Sequence, residues 1–157
     1  MSDRRPGTVT IIALAGNDAR VIVDWLAYHL AIGVDALRVC LAGSTDDTKA
    51  ILKRIAAAEP RVTWTEQASA VAPSELGDVL TEAVGATGTE WAGVLDLGEY
   101  LNPFGHDGVH AIFAPLAADV ASLHVNRRVF GSSGRATPDY GEPRHVFRCD
   151  CVQVLLL

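Results

Sequence analysis

A chain of 157 residues is expected to fold as one domain and to bury roughly 70% of the surface its unfolded form exposes. The formal net charge of −6 argues against sequence-independent binding to nucleic acid. No apolar run approaches the roughly 20 residues of a membrane span, so no transmembrane segment is expected.

In chain order, residues 8–14 form a β-branched apolar run and read as a strand. Asp18 is placed to cap the helix that follows, in which Val21, Ile22, Trp25, Leu26 and His29 fall on neighbouring turns, and Gly33 ends it. Residues 36–41 read as a second strand. Gly43-Ser44-Thr45-Asp46-Asp47 is a turn feeding a second helix with Ile51, Leu52 and Ile55 on one face. Pro60 forces a stop, and residues 61–64 make a short third strand. Residues 65–73 read as a loop, and Ser74 caps a third helix over residues 75–84. A Gly-Ala-Thr-Gly turn then leads to a fourth strand at residues 91–95. Strands alternating with helices of this length point to an α/β fold with a mostly parallel sheet and right-handed crossovers. Beyond it, residues 108–117 are expected as a short helix, residues 121–125 and 128–130 as strands, and residues 131–134 as a turn.

The fourth strand ends in chemistry. Trp91-Ala-Gly-Val-Leu is followed by Asp96-Leu-Gly-Glu99-Tyr100-Leu101, so an apolar run stops at two carboxylates three residues apart. Open α/β sheets place ligands at the carboxyl ends of their strands, and an unpaired buried charge there is too costly to keep. Asp96 and Glu99 therefore face a cleft, where they hold a divalent cation or a sugar hydroxyl, or else they are solvated turn acids.

These residues, taken together, resemble bacterial glycosyltransferases of the family-2 type. The match runs through Asn17-Asp18, Asp24-Trp25-Leu26-Ala27-Tyr28-His29, Gly33-Val34-Asp35, the Gly43 to Thr48 turn, Trp91, Asp96-Leu97-Gly98-Glu99-Tyr100-Leu101, and the stretch from Val125 to Gly134. The resemblance implies a GT-A type, Rossmann-like sheet in a single domain over residues 1–157. Residues 1–101 would be its nucleotide-binding half and 102–157 a shortened, mixed acceptor-side part. It implies transfer of a sugar from a nucleoside-diphosphate sugar to a glycan or lipid-linked acceptor. Asn17, Asp18, Ser44, Asp46 and Asp47 would serve the nucleotide, and Asp96 and Glu99 would hold Mg²⁺ or Mn²⁺.

Four positions depart from the family pattern. Where the second strand usually ends in Asp-Asn, this chain has Leu41 and Ala42, which accept nothing from a base. The middle acid of the family's Asp-x-Asp-Glu-Phe strand tip is Gly98, the lysine before Asn-Glu is Gly16, and the aromatic of the later Asn-Trp-Arg stretch is Arg127. The alternative function is accordingly a catalytically impaired GT-A-like protein that acts as a binding module.

An inverting transfer needs a general base beside the acceptor hydroxyl. Glu142 and His145 are the candidates, with Asp139 a distant third. His106 and His110 stand four apart, the helical spacing of a metal pair, but Gly105 and Gly108 favour a solvated loop. His29, on an apolar helix face, reads as a hydrogen-bonded core histidine. Arg127 and Arg128 are candidates for a phosphate or an acceptor carboxylate, and Gly43-Ser44-Thr45 either cradles an anion or simply caps a helix. Cys40, Cys149 and Cys151 form neither a disulfide framework nor a zinc site, and no convincing signal peptide precedes the first strand, so a reduced, cytoplasmic protein is expected. The apolar tail, residues 152–157, is expected as an edge strand or a homodimer contact.

Overall fold

The computed structural model describes residues 5–67, 76–103, 105–117, 119–129 and 152–155. Its first half is a four-stranded sheet of β1 (Arg5–Ala15), β2 (Ala36–Ala42), β3 (Val62–Gln67) and β4 (Thr89–Val94), in the order β3-β2-β1-β4. All three pairings are parallel, with Leu14 opposite Cys40, Ile12 opposite Val94 and Val39 opposite Trp64. The connecting helices are α1 (Ile22–Ala31), α2 (Thr48–Ala58) and α3 (Leu76–Gly85).

Side-chain alternation divides the core between the two faces of the sheet. Val9, Ile11, Ala13 and Ala15 of β1 point with Leu37, Val39 and Leu41 of β2 towards Ile22, Trp25 and Leu26 of α1 and Leu52 of α2. Ile12 and Cys40 point the other way, against Ala83 of α3. A parallel sheet covered on both faces is the α/β architecture that the alternating pattern implied.

A second sheet carries the rest. It holds β5 (Glu99–Asn102), β6 (Asn126–Val129) and β7 (Val152–Leu155) in the order β5-β7-β6, with β5 and β7 parallel and β6 and β7 antiparallel. A one-turn helix, α4 (His110–Phe113), lies between β5 and β6 and adds Phe113 to the main core.

Several expectations change. Asp18 does not cap α1 with its side chain. Its carboxylate accepts the Gly16 N–H at 2.6 Å, while its carbonyl accepts the N–H groups of Val21 and Ile22, so a turn precedes the helix. β3 runs to Gln67, three residues into the expected loop. Residues 121–125 are irregular rather than a strand, and β5, too short to show a period, is one. The tail strand β7 is the middle strand of its sheet, not an edge. Two punctuation marks hold: Gly33 leaves α1 at φ +92°, and Glu59, before Pro60, is extended at φ −124° and ψ 102°.

α1 also fixes β5. Trp25, Tyr28 and His29 lie at i, i+3 and i+4 on one helix face. The Trp25 indole N–H donates to the Glu99 carbonyl at 2.8 Å, and the Tyr28 hydroxyl to the Leu101 carbonyl at 3.1 Å. The Leu101 N–H donates to His29 Nε2 at 3.3 Å. Three side chains thus satisfy backbone groups of β5 that another strand would otherwise pair. Among the described residues no helix is long and apolar enough to cross a membrane.

Candidate functional site at the carboxyl edge

The strand order makes a switch point. The chain steps outward from β1 to β2 to β3, then returns by α3 to the other side of β1 and forms β4. The strand order therefore reverses between β1 and β4, and the carboxyl edge at such a reversal is where open α/β sheets bind ligands. Gly16, Asn17 and Asp18 follow β1, Asp96 follows β4, and the turn from Gly43 to Thr48 follows β2 at the same edge.

Hydrogen bonds lock the loops after β1 and β2 together. Asn17 Oδ1 accepts the N–H groups of Thr45 at 2.7 Å and Asp46 at 3.2 Å, as well as the Thr45 hydroxyl at 3.2 Å. Asp46 Oδ1 accepts the Thr48 hydroxyl at 2.5 Å, the Thr48 N–H at 3.0 Å and the Ser44 hydroxyl at 3.2 Å. Its Oδ2 accepts the Ala19 N–H at 3.1 Å, and Thr48 Oγ1 accepts the Asp18 N–H at 2.8 Å. Donation from the Thr48 hydroxyl, then from the Thr48 N–H, holds the Asp46 carboxyl down at about 2, below the usual carboxylate range. Asn17, Asp18, Ser44 and Asp46 are thus brought together as a scaffold. Asp46 supplies the negative charge that the amino end of α2 favours, which is the capping reading of this turn. Asp47 is exposed, with no side-chain partner among the described residues.

On the other side of the switch point, Glu99 closes the turn after β4. Its N–H donates to the Asp96 carbonyl at 2.8 Å, and its Oε2 accepts the Asp96 N–H at 3.0 Å. Its Oε1 lies 3.0 Å from Nη2 of Arg127, with the Glu99 side chain only 14% exposed. Asp96 itself is exposed. Arg127 belongs to β6, and nothing local in the sequence pairs it with Glu99; only the return of β6 into the second sheet brings them together. Among the described residues no group of three or more His, Cys, Asp or Glu side chains stands close enough to hold a metal ion.

The departures from the family pattern acquire positions. Leu41 is 1% exposed and lies in the main core with Leu37 and Val39, so it does not face the crevice. The i, i+2, i+4 alternation of those three residues carries that signal in the sequence. Gly98 is exposed, and a Cβ built on it would meet no atom within 4 Å; its φ lies outside the left-handed region. A Cβ on Gly16 would come within 3.5 Å of the Ala42 carbonyl oxygen, an ordinary contact.

The remaining candidates lie apart. His110 Nε2 is 2.8 Å from Asp35 Oδ2, which also accepts the Val9 N–H, at the opposite, amino edge of the sheet. His106 precedes α4 in a bend, with φ of +77° and +79° at Gly105 and Gly108, so the two histidines share no helix. His29 is fully buried and hydrogen-bonded, as its helix face implied. Cys40 is a buried free thiol. Glu142, His145, Asp139, Cys149, Cys151 and the turn at residues 131–134 lie outside the described residues. Compared with known proteins, the chain matches no family model and no curated protein.

Proposed function

We propose that this chain is a glycosyltransferase-like protein of GT-A type. It binds a nucleoside-diphosphate sugar at the crevice between the ends of β1 and β4 and passes the sugar to a glycan or lipid-linked acceptor. The observation that carries the reading is the strand order β3-β2-β1-β4, which sets the loop from Gly16 to Asp18 and the carboxylate of Asp96 on the two sides of one switch point. The motif resemblance supplies the chemistry, since a fold of this kind hosts many activities.

Under this reading the chain would offer a divalent cation one free carboxylate. Asp96 is exposed at the edge, whereas each Glu99 oxygen already has a partner and Arg127 is a neighbouring positive charge. Mg²⁺ or Mn²⁺ would be held by Asp96 and the donor phosphates, with Glu99 joining only on release of Arg127. Such an ion, when bound, neutralises charge on the departing diphosphate. The protein's own part is to hold shape: Asn17 and Asp46 fix the loops after β1 and β2, and Glu99 fixes the backbone that carries Asp96. Glu142 and His145 are the proposed general bases.

Titration calorimetry with uridine and guanosine diphosphates, with and without Mn²⁺, tests the reading. One of the two should bind in a Mn²⁺-dependent manner, and Asp96→Asn should weaken that binding by about tenfold or more, a loss of ~1.4 kcal/mol. Absence of binding by both nucleotides would leave the second reading, a noncatalytic GT-A-like module. The observation favouring that reading is Gly98, which puts no carboxylate where the resembling enzymes have one.

A further inference from the structure

A cleft of about 610 Å³ runs along the outer side of β4, within the range of small-molecule sites. Its floor includes Val9 and Ile11 of β1, Trp91 of β4, and Phe113. The β1–β4 register sets Gly93 opposite Ile11, in the same floor. A Cβ built at Gly93 would meet no atom within 4 Å, so this stretch of floor opens directly onto the cleft. Leu123, on the irregular segment at residues 121–125, lines it as well.

The polar groups of the lining are unequal. The two carboxylates are engaged: Glu90 Oε2 accepts the Gly7 N–H at 2.5 Å, and Glu99 is held by Arg127 and the Asp96 N–H. Donors remain. Arg127 is 59% exposed and meets Glu99 through Nη2, which leaves other N–H groups of a five-donor guanidinium. The Trp91 indole N–H, by contrast, is covered from solvent and has no acceptor among the described residues.

We infer that this cleft binds a compact amphipathic anion, with a flat apolar or aromatic body over Gly93 and a carboxylate, sulfonate or phosphate on Arg127. The body replaces water over the half-buried Trp91 and Gly93, and the acidic group takes the bidentate geometry that guanidinium favours. The inference stands apart from the transferase reading, because neither a metal nor a nucleoside diphosphate enters it.

Two fluorescent probes of similar shape test it: anionic 8-anilinonaphthalene-1-sulfonate and neutral N-phenyl-1-naphthylamine. The sulfonate should bind the native protein saturably, one to one, and about tenfold or more tighter than the neutral probe. Arg127→Gln should erase that preference. Gly93→Leu, which fills the floor, should weaken both probes by about tenfold or more while near-ultraviolet circular dichroism stays native. If Gly93→Leu does not fold, the exposed Arg127→Gln variant still decides the matter. Non-saturable binding, equal affinity for the two probes, a preference that survives Arg127→Gln, or full affinity in a native Gly93→Leu protein would each overturn the inference.

Discussion

The imidazole of His29 bridges helix and strand: its Nδ1 donates to the Trp25 carbonyl at 2.8 Å, and its Nε2 accepts the Leu101 N–H at 3.3 Å. A carbonyl only accepts, so Nδ1 must carry the proton and Nε2 must be bare. That is the neutral tautomer the strand requires. His29 is fully buried and stacks near the Tyr100 ring, with 5.8 Å between centroids. Burial, only partly offset by the bond to Trp25, pushes its pKa down to about 4.

Acid should therefore loosen the fold. In the unfolded chain His29 titrates near its ordinary 6.5, and in the native protein near 4, so between these values the unfolded chain binds the extra proton. The stability from neutral His29 is complete above pH 6.5 and falls as the pH drops towards 4, by about 3 kcal/mol in all. Urea unfolding at intervals from pH 7.5 to 4 should show this slope, and His29→Gln, which keeps a donor and an acceptor, should flatten it. An unchanged slope in the variant would assign the pH dependence to other groups.

Trp25→Phe removes the N–H that reaches the Glu99 carbonyl from a fully buried position. Losing that bond while leaving space behind should cost about 2 kcal/mol. The effect should be uneven: amide hydrogen exchange over residues 99–102 should quicken more than exchange in β1. Uniform quickening would mean that α1 stabilises the whole domain without selectively holding β5.

Leu41→Asp, read from the family pattern alone, would restore a contact to a nucleotide base. The core position of Leu41 reverses that expectation. An aspartate there loses apolar packing and buries a carboxylate beside Leu37 and Val39, at a cost of at least about 3 kcal/mol. Thermal unfolding of Leu41→Asp should show a large drop in midpoint, and a variant as stable as the parent would place residue 41 at the crevice after all.

Gly98→Asp should be accommodated, because a Cβ there meets open space and the backbone is not left-handed. It adds a carboxylate between Asp96 and Glu99 at the switch-point edge. Unfolding midpoints should move little, and Mn²⁺-dependent binding of nucleoside diphosphate should rise by about tenfold if the carboxylate reaches the ion. Unchanged binding in a stable variant would show that the cation does not sit at this turn.

Much of the first sheet was legible because its signals are local. The alternation in β1 and β2, the helical spacing in α1 and α2, and the stops at Gly33 and Pro60 are each written within a few residues. They suffice for an α/β chain with carboxylates at the tip of its fourth strand. The same alternation already marks Leu41 as inward-facing, with Leu37 and Val39. Elsewhere the information is not local. β5 and β7 are four-residue strands, too short for a period, and they pair across more than fifty residues of chain. Residues 121–125 carry the apolar content of a strand yet serve as the wall of a cleft. The engagement of Glu99 by Arg127, and the hold of Asp46 on the loop after β1, depend on which loops the sheet order brings together. Sequence determines what a segment prefers through backbone sterics and side-chain period; which groups satisfy one another across the fold is decided only when the strands are ordered, because each buried donor and acceptor then takes the partner that packing places within reach.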